Sequence, residues 1–92
     1  RRLTVLLVEK ARFPRPKVCG GCLNGAALAA LDAGGLGDLP QRLGASPVRA
    51  VQFVANKRSA SLSLPGGAAV SRFALDAALA REAIAAGVAF LP

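Results

Sequence analysis

LTVLLVEKARFPRPKVCGGC, residues 3–22, places a nearly unbroken apolar run before a loop that contains two prolines and two glycines. Continuous apolar character, rather than alternation, is typical of a strand buried on both faces, as in a parallel sheet covered by helices. Proline and glycine then interrupt regular structure over residues 10–22. The stretch therefore predicts a covered parallel strand followed by a long loop.

The rest of the chain adds two helices, a hairpin and a last strand. Asn24 and Ser71 can each act as the N-cap of a run of helix-forming residues. Two alternating runs on either side of NKRS are typical of an antiparallel hairpin. The predicted elements are a helix over about 24–33, a hairpin over about 48–64, a helix over about 72–86 and a strand over 88–91. This order predicts an α/β fold, a parallel sheet with helices, carrying an inserted antiparallel hairpin.

The net charge of +7 points to an anionic partner. Six of the twelve basic residues fall within the first seventeen positions, where only Glu9 opposes them. Such a patch suits a phosphorylated cofactor as well as nucleic acid. The four aromatic residues, all Phe, are not interleaved with these charges as base stacking would require, so we expect no nucleic-acid partner.

Two absences bear on location. The leading Arg pair precedes too short an apolar run for a secretory signal, and no run approaches the roughly 18 apolar residues of a membrane helix. We therefore expect a cytoplasmic protein with no membrane span, and peripheral membrane contact stays open. A reducing compartment would keep Cys19 and Cys22 as thiols.

The CGGC segment, residues 19–22, has three chemical interpretations. A structural zinc site normally needs four Cys or His ligands, and the chain has two Cys and no His. A thiol–disulfide pair at a helix N-terminus would be activated by the helix dipole and by nearby cations such as Lys17. In the third interpretation the two glycines let the backbone approach a bulky anionic ligand, and the cysteines only contact it.

Two other places in the chain favour the third interpretation. Glu9 closes an apolar strand, as does the acidic residue that takes the ribose hydroxyls in dinucleotide-binding folds. The segment SRFALDAALAREAIAAGV, residues 71–88, places an Arg at the start of a helix and Leu-Asp three residues later. Together with VEKARFPRPKVCGGCLNGAALAALDAGGL, this segment resembles flavin-dependent oxidoreductases of the geranylgeranyl reductase family, within the para-hydroxybenzoate hydroxylase-like group.

The resemblance covers essentially the whole chain and implies part of a Rossmann-like FAD-binding domain over residues 1–92. The family's GxGxxG strand and turn, its later cofactor motif and its substrate sheet have no counterpart here. We therefore expect an internal fragment of an FAD-dependent oxidoreductase, inactive by itself, that lacks the N-terminal phosphate-binding turn and the C-terminal half. In the intact enzyme NAD(P)H or another reductant would reduce the flavin. An apolar, aromatic or isoprenoid-type small molecule would be its substrate.

The resemblance also implies cofactor-binding residues but no catalytic or metal-binding ones. Glu9 would bind the ribose of the FAD adenosine, and Arg72 would reach the phosphate or flavin end of the cofactor. The flavin side would be lined, largely by backbone, by Lys17, Cys19, Gly20, Gly21 and Cys22. The plainer alternatives are a solvated strand end at Glu9, an ordinary glycine-rich turn at residues 17–22, and an ion pair between Arg72 and Asp76.

Arg15 is a weaker cofactor candidate, for which a solvated loop charge is the favoured interpretation. The alternative function for the whole chain is a thiol–disulfide redox module that uses Cys19 and Cys22.

Overall fold

The computed structural model describes residues 3–91, which form two compact units. The terminal unit combines the chain up to Cys19 with the chain from Ser71 onward, and the central unit is the continuous segment Gly20–Val70. Helices and sheets are both present, so the fold is mixed α/β, with mostly antiparallel strand pairing instead of the expected parallel sheet. The sheets are small, and parallel pairing occurs within the described residues only between the first and last strands.

The secondary structure consists of seven strands and three helices within residues 3–91. The strands are β1 (Leu6–Val8), β2 (Cys22–Asn24), β3 (Ser46–Pro47), β4 (Ala50–Ala55), β5 (Arg58–Ser63), β6 (Gly67–Ala69) and β7 (Ala89–Leu91). The helices are α1 (Gly25–Ala33), α2 (Leu39–Arg42) and α3 (Arg72–Ala85).

The terminal unit is a two-stranded parallel sheet with one helix. β1 pairs with β7 in a register that sets Leu7 beside Phe90. Ser71 caps α3 by accepting a hydrogen bond from the Ala74 N–H at 3.1 Å, which satisfies one of the orphan donors of the first turn. The helix buries a face made mainly of small residues, namely Leu75, Ala77, Ala78 and Ala80.

The central unit contains a three-stranded antiparallel sheet in the order β2-β6-β3. Asn24 ends β2 and caps α1, since its Oδ1 accepts a hydrogen bond from the Ala27 N–H at 2.8 Å. Leu39, at the start of α2, is only 2% exposed, and Ala68 of β6 is buried with it in this unit. The core of the unit is therefore small.

The central unit also contains a hairpin formed by β4 and β5. Six residue pairs run from Ala50–Ser63 to Ala55–Arg58, which leaves a two-residue turn at Asn56-Lys57. Both turn residues have positive φ, 50° and 62°. This is the backbone of a type I′ turn, whose twist matches that of the paired strands.

Two sequence-based expectations about burial are wrong. The first strand was expected to be covered on both faces, but Leu6 is 60% and Val8 62% exposed, because within the described chain β7 is its only strand neighbour. The helical spacing of Leu75, Leu79, Ala83 and Ala86 in the sequence predicts that these residues form the buried face of α3. Of these only Leu75 is buried; the helix packs through its smaller alanines instead.

Candidate functional site

A bidentate ion pair between Arg72 and Asp76 lies at the start of α3. Arg72 donates from Nε to Oδ1 of Asp76 at 2.8 Å and from Nη2 to Oδ2 at 2.9 Å. The two residues are one helical turn apart, where side chains on the same face meet. Hydrogen bonds from Arg72 hold the pKa of Asp76 below its usual range, and Asp76 in turn raises the pKa of Arg72. Both groups therefore stay charged.

Arg15 reaches the same carboxylate from the loop after β1. Its Nη1 donates to Oδ2 of Asp76 at 2.8 Å, and its Nη2 lies 3.7 Å from Oε2 of Glu9. Only 17% of the Arg15 side chain is exposed. The favoured interpretation of Arg15 as a solvated loop charge is therefore wrong, because the side chain bridges the two acidic residues.

An aromatic stack supports Arg15 from the other side. Its guanidinium carbon lies 4.7 Å from the ring centroid of Phe13, within the range of a cation–π contact. Phe13 in turn stacks on Phe90 of β7, with ring centroids 5.6 Å apart. The loop after β1 is thus attached to the sheet through the two rings. The guanidinium of Arg15 contacts the Phe13 ring through its flat face and the acidic residues through its N–H groups.

Glu9 follows β1 directly. Its backbone N–H donates to the carbonyl of Leu91 at 3.0 Å, which extends the parallel ladder, and its Oε1 accepts from the Ala11 N–H at 3.2 Å. That backbone hydrogen bond, with Arg15 adding a smaller effect, lowers the pKa of Glu9. The carboxylate is 31% exposed and ionised at neutral pH, so it can still accept hydrogen bonds from outside.

A shallow cavity of about 240 Å³ lies beside these charges. Its polar wall is Arg15, Arg72 and Asp76, and its apolar wall includes Leu7, Phe13 and Leu79. An opening with ion-paired arginines on one side and a strand and an aromatic ring on the other can hold a small group that is both polar and apolar.

Cys19 lies next to Arg72. A side-chain hydrogen bond between them is, after Asp76, the second cause of the raised pKa of Arg72. The Cys19 side chain is exposed, as is Lys17 two residues earlier. Of the residues expected to bind a cofactor, Glu9, Cys19 and Arg72 therefore share one network with Arg15 and Asp76, whereas Lys17 is a surface residue of the same unit.

The remaining expected residues belong to the central unit. Gly20 is exposed and has open space where a side chain would stand. Gly21 has φ +72°, a conformation that favours glycine, and its carbonyl accepts from the Val70 N–H at 2.8 Å. Cys22 was expected to lie in the loop over residues 10–22, but it begins strand β2 instead. Its Sγ lies 3.7 Å from the Gly20 carbonyl oxygen. The six residues 17–22 are thus divided between the two units.

The comparisons with known proteins name no relative. No protein-family model, curated protein or solved structure matches the chain. No helix within residues 3–91 is both long enough and apolar enough to cross a bilayer. The same residues contain no group of three or more side chains suited to hold a metal ion.

Proposed function

We propose that this chain holds FAD within a Rossmann-like domain of a flavin-dependent oxidoreductase. The observation that supports the proposal most is the position of Glu9 and Arg72. A strand-end acid and a helix-start arginine, 63 positions apart in the chain, lie in one network through Arg15 and Asp76. The parallel pairing of β1 and β7 is the strand arrangement that such a domain uses.

The polar groups of the network suit the parts of FAD that the proposal assigns to them. Glu9 keeps an ionised, partly exposed carboxylate after a strand, which is the acceptor that ribose hydroxyls need. Arg72 has five N–H donors, of which two bind Asp76 and another contacts Cys19, so its guanidinium can also donate to a phosphate or to the flavin edge. Asp76 and Arg15 fix the orientation of that guanidinium.

The residues of the network bind and orient rather than transfer protons. Each acid in it is engaged by an arginine, and both acids have a lowered pKa, so neither holds a proton at neutral pH. A bound flavin would supply the redox chemistry, with NAD(P)H or another reductant as electron source. The apolar wall of the adjacent cavity is consistent with an apolar, aromatic or isoprenoid-type substrate, whether the enzyme is a reductase or a monooxygenase.

Titration of the purified full-length protein with FAD, followed by quenching of flavin fluorescence, tests the proposal. We expect Glu9→Gln and Arg72→Gln each to weaken binding about tenfold, which is about 1.4 kcal/mol for one lost charge-assisted contact. Asp38→Asn and Arg81→Gln are the matched controls, because both residues are exposed charges outside the network. Absence of saturable FAD binding, or equal losses in controls and site variants, would overturn the proposal.

One observation favours a second candidate, a thiol–disulfide redox module. The guanidinium of Arg72 beside Cys19 stabilises a thiolate, which is the reactive form of cysteine. In such a module the thiols of Cys19 and Cys22 would reduce a disulfide of the substrate to two thiols. They would give up two electrons and two protons and form a disulfide with each other. Reduction of an insulin disulfide by the protein, lost in both Cys19→Ser and Cys22→Ser, with no FAD binding, would favour this candidate over the flavin protein.

A further inference from the structure

The register of the β4–β5 hairpin separates its residues into two chemically different sides. Side chains alternate along a strand, and directly paired residues share a side. The pairs Val51–Leu62 and Phe53–Ala60 therefore lie on one side, and Gln52–Ser61 lies on the other. We call these the apolar side (Val51, Phe53, Ala55, Ala60 and Leu62, with Arg58) and the serine side (Ala50, Gln52, Val54, Ser59, Ser61 and Ser63).

The apolar side is not covered by any part of the described chain. Every residue of β4 and of β5 is exposed. On the apolar side Phe53 is 59% and Leu62 56% exposed. Within residues 3–91 the two strands pair only with each other, and a lone two-stranded ribbon is marginally stable in water. An uncovered apolar surface of this kind marks a site of association.

Cations stand at both ends of the apolar side. Arg58 pairs with Ala55 at the turn end, and Lys57 occupies the turn itself. At the other end the Arg49 carbonyl accepts from the Leu64 N–H at 2.7 Å, which extends the ladder by one residue and, by alternation, places Arg49 on the side of Val51. The sequence has no acidic residue between Asp38 and Asp76, so these charges are unopposed along the hairpin.

We propose that the hairpin docks by its apolar side on an anionic lipid bilayer. An apolar centre with basic residues at its edges is the pattern of proteins that lie in the membrane interface, where apolar side chains enter the acyl boundary and cations contact lipid phosphates. A second copy of the chain fits less well, since two such sides face to face would bring like charges together. Nucleic acid would use the cations but would leave most of the apolar side in water.

Vesicle sedimentation tests this docking independently of any cofactor. Purified protein is mixed with vesicles of phosphatidylcholine alone or of phosphatidylcholine with phosphatidylglycerol. We expect binding to the anionic vesicles only, weakened by added salt. Phe53→Ser should weaken vesicle binding about tenfold, because the bound protein no longer buries an aromatic side chain in the bilayer. Val54→Ser, on the serine side, should leave it unchanged.

A charge variant and a reporter variant complete the test. Arg58→Gln should weaken binding about fivefold, as one cation near an anionic surface contributes about that factor, whereas Arg81→Gln on α3 should not. The chain has no Trp, so Phe53→Trp provides a single reporter that keeps the apolar side intact. Its emission should shift to the blue with anionic vesicles and stay unchanged with neutral ones.

Three results would overturn the docking proposal. One is an unshifted Phe53→Trp emission in the presence of anionic vesicles, in a protein whose circular dichroism shows that it is folded. Another is equal binding by Phe53→Ser and Val54→Ser. The third is a dimer in sedimentation velocity that Phe53→Ser dissociates while vesicles bind neither form, which would identify a second copy as the partner.

Discussion

Asp76 accepts hydrogen bonds from two arginines that come from different parts of the chain. Arg72, one turn before it on α3, binds both of its oxygens, and Arg15, 61 positions earlier, binds Oδ2 at 2.8 Å. The side chain of Asp76 is 12% exposed. The carboxylate is therefore the point at which the loop after β1 is attached to the helix.

We expect Asp76→Asn to lower the free energy of unfolding by about 1–2 kcal/mol at neutral pH, because two arginines lose their shared counter-charge. The lowered pKa of Asp76 sets the pH dependence. Its contribution is present above the ordinary carboxyl pKa of about 4 and is lost as the pH falls through the lowered value. Urea unfolding at a series of pH values should show the two proteins converging in acid.

Asp38 provides a matched control for this substitution. It forms an ion pair with Arg42 at 3.2 Å with the same spacing of four residues, but its side chain is 67% exposed. Asp38→Asn should change stability by less than about 0.5 kcal/mol, as exposed pairs do. Equal losses of unfolding free energy in Asp38→Asn and Asp76→Asn would show that the contact of Arg15 with Asp76 does not stabilise the fold.

A second prediction concerns the thiol of Cys19. The Arg72 guanidinium beside it favours the thiolate, so we expect Arg72→Gln to slow alkylation of Cys19 by iodoacetamide severalfold at neutral pH. Peptide mass spectrometry separates modification of Cys19 from that of Cys22, which belongs to the central unit and serves as the internal standard. Slowing of both thiols together would indicate unfolding instead of a lost contact.

The cap of α3 gives a third prediction. Ser71→Ala should cost about 1 kcal/mol in urea unfolding, because the Ala74 N–H loses its acceptor. Ser71→Asp should keep most of the stability, since a carboxylate also caps and interacts favourably with the helix dipole. Ser61→Ala, at an exposed strand position, controls for the loss of a hydroxyl.

The hairpin turn gives a fourth. Lys57 has φ 62°, which glycine adopts without the penalty that a side chain pays. We expect Lys57→Gly to raise the free energy of unfolding by about 0.5 kcal/mol, and Lys57→Ala to give no such gain. Thermal unfolding by circular dichroism measures both. A gain for alanine equal to that for glycine would contradict a type I′ turn.

The local features of the fold were predictable from sequence because their causes are local. Asn24 and Ser71 cap the helices that their positions indicate, and two alternating runs around NKRS form the hairpin. The short strands β2 and β3 were missed. Three residues and two residues are too short for a pattern, and both exist through pairing with β6, which comes from a distant part of the chain.

Burial and the candidate site were harder to predict. An apolar run indicates a covered strand, yet what covers β1 depends on partners that its own sequence does not encode. The pair Arg72–Asp76 was visible in its spacing of four residues. The link from Arg15 to Asp76 and Glu9 was not, because no periodicity connects a loop residue with a helix 61 positions later.

The chain order of the two units has a consequence for synthesis on the ribosome. The central unit is one continuous segment and can fold as soon as residue 70 has left the exit tunnel. The terminal unit cannot, since β1 pairs with β7 and Leu6 must wait for Ala89. During translation β1 therefore emerges well before its partner strand, and its apolar side chains stay available to chaperones until Ala89 has followed Leu6 out of the ribosome.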